Sequence, residues 1–281
     1  MRVLVTGAAG FCGRHLCAAL RARGHEAWAA GHDAAYPVDF RLLELVAELF
    51  TEARPDLVFH LAGTSHPGDF HRGPVEVQTE NIVHPLLNVL ECAGNTRVVL
   101  ASSAVVYGRG PTTEDSPMRP ADLYGAARAS AEAMAQRHVQ RGGDVVIARA
   151  TGITGPGQHP RFLLAGWAHR YAGGERRIAT GNLELRRDYI DVRDAAEALV
   201  LLGERGERGS SYNLCSGDAL PLRELFVQLC PGAESTDGGA PSRELPVIAA
   251  SPARAEALGW QRRHALAQTL VDLRQSVSPS P

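Results

Sequence analysis

A doubly wound α/β architecture is the expectation from three features of this 281-residue chain: a parallel sheet covered by helices on both faces, with a smaller second domain towards the C-terminus. The chain opens on a β-branched run, a glycine turn and an amphipathic helix, "RVLVTGAAGFCGRHLCAALRARGHE". Four further apolar runs, at 26–31, 56–63, 97–108 and 144–155, alternate with helical stretches. They are hydrophobic almost throughout, as strands buried on both faces are. Beyond Gly155 the alternation loosens into "GPGQHPRF", "GNLELRRDYIDVRD" and "GDALPLRELFVQL", rich in Gly, Pro and Arg.

The first strand, turn and helix carry the sharpest chemical signal. Gly7, Gly10 and Gly13 let the turn tighten, let a diphosphate approach the backbone and let helix pack on strand. The helix that follows offers free N–H groups to the anion, and Phe11 in the turn is a further candidate for the cofactor. A dinucleotide is therefore the expected ligand. Folds that prefer NAD place an acidic residue at the end of the second strand, but this chain has Gly31 and His32 there, with Asp33 slightly late. Arg14, just inside the turn, is positioned for a 2′-phosphate, so NADP is favoured over NAD. The expected organisation is a dinucleotide-binding domain over 1–154 and a mainly substrate-binding domain over 155–275. Within the second, 188–204 returns to the first domain's core, and 276–281 is a disordered tail.

Composition excludes several classes of function. With 44% hydrophobic and 21% charged residues the chain suits a globular protein with a sizeable core. A net charge of -2 without blocks of like charge gives no general attraction to nucleic acid or membrane, so neither is an expected partner. No apolar run approaches a membrane span, and "MRVLV" leads into the glycine turn without a signal-peptide core, so a cytoplasmic location is expected. The five cysteines, Cys12, Cys17, Cys92, Cys215 and Cys230, are odd in number and lack CxxC spacing, which points to packed, reduced thiols. No lysine occurs, so all 29 basic side chains are arginine, a mark of GC-rich codon bias.

In "ADLYGAARASAE", Tyr124 and Arg128 stand four residues apart on one helix face. An opposite charge within about 4–6 Å pulls a phenol pKa down from about 10, which suits proton transfer; the plainer alternative is a pair on a solvated helix. His66 and His71 share the loop "TSHPGDFHRG", but five-residue spacing without cysteine or an i, i+4 pair argues against a metal, and this loop is expected to cover the substrate. Pro85, inside "TENIVHPLLNVLE", should kink that helix or remove one backbone bond.

"TGAAGFCG", "FHLAG", "SSAVVYG", Tyr124 with its cation, "GPGQ", "RRDYIDVRD" and "YNLCSG" follow the order of the extended short-chain dehydrogenase/reductases of the nucleotide-sugar type, which the chain resembles along nearly its whole length. "GPGQHPRF", "GNLELRRDYIDVRD", "YNLCSG" and "LPVIAASPARAEALGW" are most similar to the GDP-4-keto-6-deoxymannose reductases within it. The resemblance implies a Rossmann domain holding NAD or NADP. Ser103 would hold the substrate oxygen, Tyr124 would exchange its proton, and Arg128 takes the place of the family lysine beside the nicotinamide ribose. Asp39 would lie near the adenine, with Leu61, Ala62 and Gly63 along the diphosphate and ribose. His32 would sit at the adenosine end. Thr64, His66, Asn81, Ser103, Ala104 and Arg187 would face the nucleotide-sugar, Arg187 on a diphosphate oxygen. A homodimer built from the helices holding Asn81 and Tyr124 is also implied.

Departures from the family pattern shape the expected reaction. Arg128 keeps the lysine's charge but is planar, wider and never deprotonated. Gly152 in "RATGITGPGQ" replaces an asparagine that touches the nucleotide-sugar, and the arginine preceding the "xxVPV" motif falls on Pro241, with Arg243 two residues away as a substitute. Ala104 and Val105 occupy the positions of the acid and base that dehydratases use, so dehydration is disfavoured. Ketoreduction of a nucleotide-activated deoxysugar is the first reading, and epimerisation with a retained NAD is the second. A catalytically weak sensor or scaffold that binds the cofactor is the third, favoured by Arg128 and Gly152.

Overall fold

The computed structural model describes residues 1–64, 75–236 and 245–277. The N-terminal half runs β1 (Arg2–Thr6), α1 (Phe11–Ala22), β2 (Glu26–Ala30), α2 (Leu43–Ala53), β3 (Leu57–His60), α3 (Val75–Ala93) and β4 (Arg97–Ser103). A 3-10 turn, Ala104–Tyr107, leads to β5 (Gly110–Thr112), α4 (Leu123–Gln140), β6 (Val145–Ala150) and β7 (Gly152–Thr154). Next come α5 (Leu163–Ala172), β8 (Arg177–Ala179), β9 (Arg186–Asp191), α6 (Val192–Arg205), β10 (Ser211–Leu214) and β11 (Ala219–Pro221). The chain closes with α7 (Leu222–Leu229), β12 (Glu234–Thr236), β13 (Val247–Ala250), α8 (Ala253–Ala257) and α9 (Leu266–Ser276).

Six strands form one parallel sheet in the order β10-β6-β4-β3-β1-β2. Side-chain alternation divides its interior. Leu4, Val58, Val98, Leu100, Val145 and Ile147 pack beneath α2, α3 and α4, while Val3, Val5, Phe59, Val99, Val146 and Ala148 pack beneath α1 and α6. Period-two alternation along strands that are apolar at every position requires helices on both faces, and this is the doubly wound arrangement. Because β1 is flanked by β2 on one side and β3 on the other, the winding reverses between β1 and β3. Ligands in such sheets bind beyond the carboxyl ends of the strands at that reversal.

A second sheet, β11-β9-β13-β5 with β7 alongside β9, lies on the C-terminal side. Helices α5, α7 and α9 enclose a separate apolar cluster around Trp167 and Phe226, whose rings meet edge to face at 5.3 Å. Of the stretch 188–204, helix α6 packs beside α1, whereas Asp188–Asp191 belong to β9 in the second sheet. The first sheet also receives β10, which the hydrophobic pattern did not disclose because "SYNL" is short and polar in its middle. Ser276, expected to open a disordered tail, instead ends α9, and its hydroxyl accepts from the Gly157 N–H at 3.2 Å; residues 278–281 lie outside the described residues. All five cysteines are free thiols. Among the described residues no helix is long and apolar enough to cross a membrane.

Phe59 is fully buried between β3 and α6, so Phe59→Ala should lower the unfolding free energy by about 3–5 kcal/mol. A fall in the urea midpoint at constant slope is the expected reading.

Candidate active site

The turn after β1 is shaped by what lies against it. Gly7 has φ +67°, and a Cβ there would stand 2.9 Å from the backbone nitrogen of Ala62 and the carbonyl carbon of Leu61, beyond β3. A Cβ on Gly13 would meet the Gly7 carbonyl oxygen at 2.3 Å. Both glycines are therefore demanded by backbone approach, the first for strand against strand and the third for helix against turn. Gly10 precedes α1 without a side-chain cap, so the first N–H groups, from Phe11 on, stay available to an anion. Thr6 ties the two strand ends together: its hydroxyl oxygen accepts from the N–H of Leu61 at 3.1 Å and of Ala62 at 3.0 Å. With both lone pairs used, it donates its proton to His60 Nδ1, 3.0 Å away. His60 is buried and close enough to the Arg128 charge that its pKa drops from 6.5 to about 3, so the ring is neutral.

A cleft of 390 Å³ opens at this switch point. Gly7, Gly31, His32 and Asp39 form one wall, and Ala62, Gly63, Thr64 and Asn81 the other, which brings together residues expected from opposite ends of a dinucleotide. The floor at Gly63 rests on α3. Pro85 has no N–H to give the Asn81 carbonyl, and that oxygen lies 2.9 Å from where a Gly63 Cβ would stand. The helix itself continues unbroken from Val75 to Ala93. Arg14 does not reach the cleft: its guanidinium donates to the carbonyls of Ala9 at 2.7 Å and Gly157 at 3.2 Å, because the loop after β7 folds back over α1. Arg41 and Arg161, which sequence reasoning passed over, line the cleft instead. Arg41 grips Asp39 bidentately, at 3.0 and 2.7 Å, and this pairing holds the Asp39 carboxyl down at about 2.

Tyr124 and Arg128 face inward. The Asp122 side chain caps α4 by accepting from the Gly125 N–H at 2.7 Å, which places Tyr124 in the first turn. Both residues are 7% exposed. Arg128 Nε donates to the Tyr124 hydroxyl at 3.3 Å, with the guanidinium carbon 5.3 Å from the ring centroid. Its Nη1 donates to the Ala101 carbonyl at 3.0 Å and its Nη2 to the Thr64 carbonyl at 2.9 Å, so the pair adjoins the cleft through Thr64. Ser103 ends β4. Its hydroxyl makes only long contacts, 3.4 Å to the Ala150 carbonyl and 3.4 Å from the Val105 N–H, which leaves it able to turn to a better partner. The Ala104 methyl, expected at the substrate, is packed with Val106 and Tyr107 against Ala129.

On the side expected to hold the sugar, Gly152 is explained by Tyr189, its register partner on β9. A Cβ at 152 would fall 2.4 Å from the tyrosine ring, so aromatic carbon occupies the space a longer side chain would need. Arg187 donates to the Leu245 carbonyl at 2.8 Å and the Arg186 carbonyl at 3.0 Å. The neighbouring carboxylates are engaged elsewhere. Asp188 accepts from the N–H groups of Ser216 and Gly217, and Asp191 accepts from Arg193 and Thr269. His66 and Arg243 lie outside the described residues, as does His71. Among the described residues no cluster of three or more His, Cys, Asp or Glu is placed to hold a metal ion.

Sequence reasoning missed Thr6, His60, Glu132 and Arg149. Two signals were present: Glu132 continues the four-residue stripe of Tyr124 and Arg128, and Arg149 is a lone charge in the apolar strand "VVIARA".

Comparison with known proteins agrees with this geometry. The model of the NAD dependent epimerase/dehydratase family matches residues 3–215. The GDP-6-deoxy-D-mannose reductase of Pseudomonas aeruginosa is 34% identical, covering 83% of this chain and 80% of its own. Among solved structures, RMD from Pseudomonas aeruginosa complexed with NADPH superposes with a TM-score of 0.88 at 26% identity, covering 98% of this chain and 97% of that one. UDP-glucose 4-epimerase of Thermus thermophilus in complex with NAD gives a TM-score of 0.88 at 29% identity, covering 98% of both chains.

His60 sets a pH dependence of stability. Unfolded, it takes a proton near pH 6.5; folded, only near pH 3. The unfolded state binds more protons in that window, so this contribution is complete above pH 6.5 and is lost as the pH falls towards 3. His60→Gln should flatten the urea midpoint against pH between those limits; an unaltered slope would show that other groups carry it.

Proposed function

The chain belongs to the NAD dependent epimerase/dehydratase family, whose curated relatives include nucleotide-sugar reductases and epimerases, and on that footing we propose that it is an NAD(P)-dependent ketoreductase of a nucleotide-activated 6-deoxysugar. The observation that carries the reading is the buried Tyr124–Arg128 pair beside the cleft at the strand reversal. A pair exposed on a solvated helix would have had no such meaning. GDP-4-keto-6-deoxymannose is the substrate the 34% identical reductase recommends for trial.

The residues fit a bound dinucleotide. Gly7 and Gly13 let the backbone of the turn pack closely against β3 and α1, and the α1 N-terminus offers N–H groups for a diphosphate. When bound, that cofactor would supply or take up a hydride. Tyr124 donates its phenolic proton to the substrate oxygen as the carbonyl becomes an alcohol, and Ser103 hydrogen-bonds the same oxygen. Arg128 Nε donates to the Tyr124 hydroxyl and so fixes the direction in which that oxygen faces. His60, held neutral, leaves Arg128 as the charged group beside Tyr124. The positions of Ala104 and Val105 provide neither acid nor base for removal of water, which supports reduction over dehydration. A smaller case exists for C4 epimerisation, which needs the same hydroxyl pair and a retained NAD, and it draws on the NAD-bound epimerase likeness.

The cofactor reading leans to NADP. No carboxylate ends β2, Asp39 is neutralised by Arg41, and Arg161 stands in the same cleft. A homodimer through α3 and α4 belongs to the same proposal.

Substrate-dependent NADPH oxidation with GDP-4-keto-6-deoxymannose tests the function. Tyr124→Phe should abolish turnover with cofactor binding intact, and Arg128→Lys should preserve or raise it. Full activity in Tyr124→Phe would remove the proton donor, whereas tight NADPH binding without turnover of any keto sugar would point to a sensor.

A further inference from the structure

We propose that the buried Glu132–Arg149 pair is a positioning element, clasping the end of β4 against α4 so that Ser103 and Tyr124 hold a fixed relation. The proposal rests on the acid/base reading of those two residues.

Helix α4 turns Tyr124, Arg128 and Glu132 to one inward face at four-residue spacing, and Glu132 is 1% exposed. Three consecutive residues at the end of β4 are then engaged in turn. The Ala101 carbonyl accepts from Arg128, the Ser102 hydroxyl donates to the Glu132 carboxylate, and Ser103 begins the 3-10 turn. Arg149, paired in register with Ser102 on the adjacent strand β6, meets the same carboxylate: its Nε lies 3.1 Å from both oxygens and its Nη2 2.7 Å from Oε2.

Beyond Ser103 the grip continues. Arg149 Nη1 donates to the Tyr107 hydroxyl at 2.8 Å, and Tyr107 closes the 3-10 turn that Ser103 opens. The Tyr107 hydroxyl donates in turn to Asn213 Oδ1 at 2.7 Å on β10. Ser103 is thus held from the residue before it through Glu132, and from the turn after it through Arg149. An apolar contact would let the helix slide by a fraction of an ångström at little cost. A buried, bidentate ion pair is directional and resists the same displacement.

Two variants test this without leaving a charge stranded. Ser102→Ala removes one hydroxyl, and Glu132→Leu combined with Arg149→Met removes both charges together. Asp144→Asn, which weakens the Arg97–Asp144 pair at the far end of β4, controls for lost stability alone. Ser102→Ala and the double variant should lower kcat for GDP-4-keto-6-deoxymannose about ten- to a hundredfold while KM and the NADPH Kd hold. Ser102→Thr should restore most of the loss, and the 13C resonance of ring-labelled Tyr124 should move in the cofactor-bound protein. The control should leave kcat and that resonance in place. Unchanged kcat in both variants, or an equal fall in the Asp144→Asn control, overturns the proposal. If the wild-type protein turns over no keto sugar, the functional reading has failed instead, and a Tyr124 resonance unmoved in both variants then refutes the positioning role by itself.

Discussion

A guanidinium buried at position 128 must be met by oxygens, and the arrangement of the site follows from which oxygens those are. An unmatched ion in this interior would cost several kcal/mol. Here the charge is answered by one phenol and two backbone carbonyls, from Tyr124 on its own helix, Ala101 at the end of β4 and Thr64 after β3. Those three groups come from separate parts of the chain, so satisfying one cation draws a helix, a strand end and a loop to a common point. Burial, with the same charge beside it, keeps the neighbouring His60 neutral, which frees that ring to accept the Thr6 proton.

The cleft is the other side of this packing. Gly7 and Gly63 are the places where backbone from one element comes within contact distance of backbone from another, β1 against the end of β3 and the end of β3 against α3. Any Cβ at either point would push the walls apart. Pro85 contributes by withholding an N–H from the Asn81 carbonyl, the oxygen that Gly63 approaches. What reads as a ligand motif in the sequence is therefore also a packing requirement, and a dinucleotide would occupy the room that packing leaves.

Local periodicity explains why so much was legible beforehand. Strand runs, the glycine turn and the Tyr124–Arg128 face are set by residues close in sequence, so alternation and i, i+4 spacing reveal them. Arg14 was misjudged because one of its two partners, the Gly157 carbonyl, is brought to it by a loop that returns from far along the chain. Arg149 went unread, because only the strand register sets it opposite Ser102 and within reach of Glu132. Gly152 likewise read as a lost contact, and only the pairing of β7 with β9 shows the Tyr189 ring in the vacated volume. Non-local register decides each of these, and no single segment encodes it.

Arginine in place of lysine at 128 has a geometric consequence that codon bias alone does not describe. An ammonium is a compact point charge on a flexible stem, and it would have to choose among acceptors lying in different directions. The planar fork presents Nε to the phenol while Nη1 and Nη2 point to two carbonyls at once, which is the pattern seen. Three of its five N–H donors are thus directed at three acceptors in different directions. The exchange thus turns a mobile charge into a rigid cross-link that still carries charge. A site of this kind gains its order before any ligand arrives, and the Glu132–Arg149 clasp one turn further along α4 extends the same order into β4 and β6.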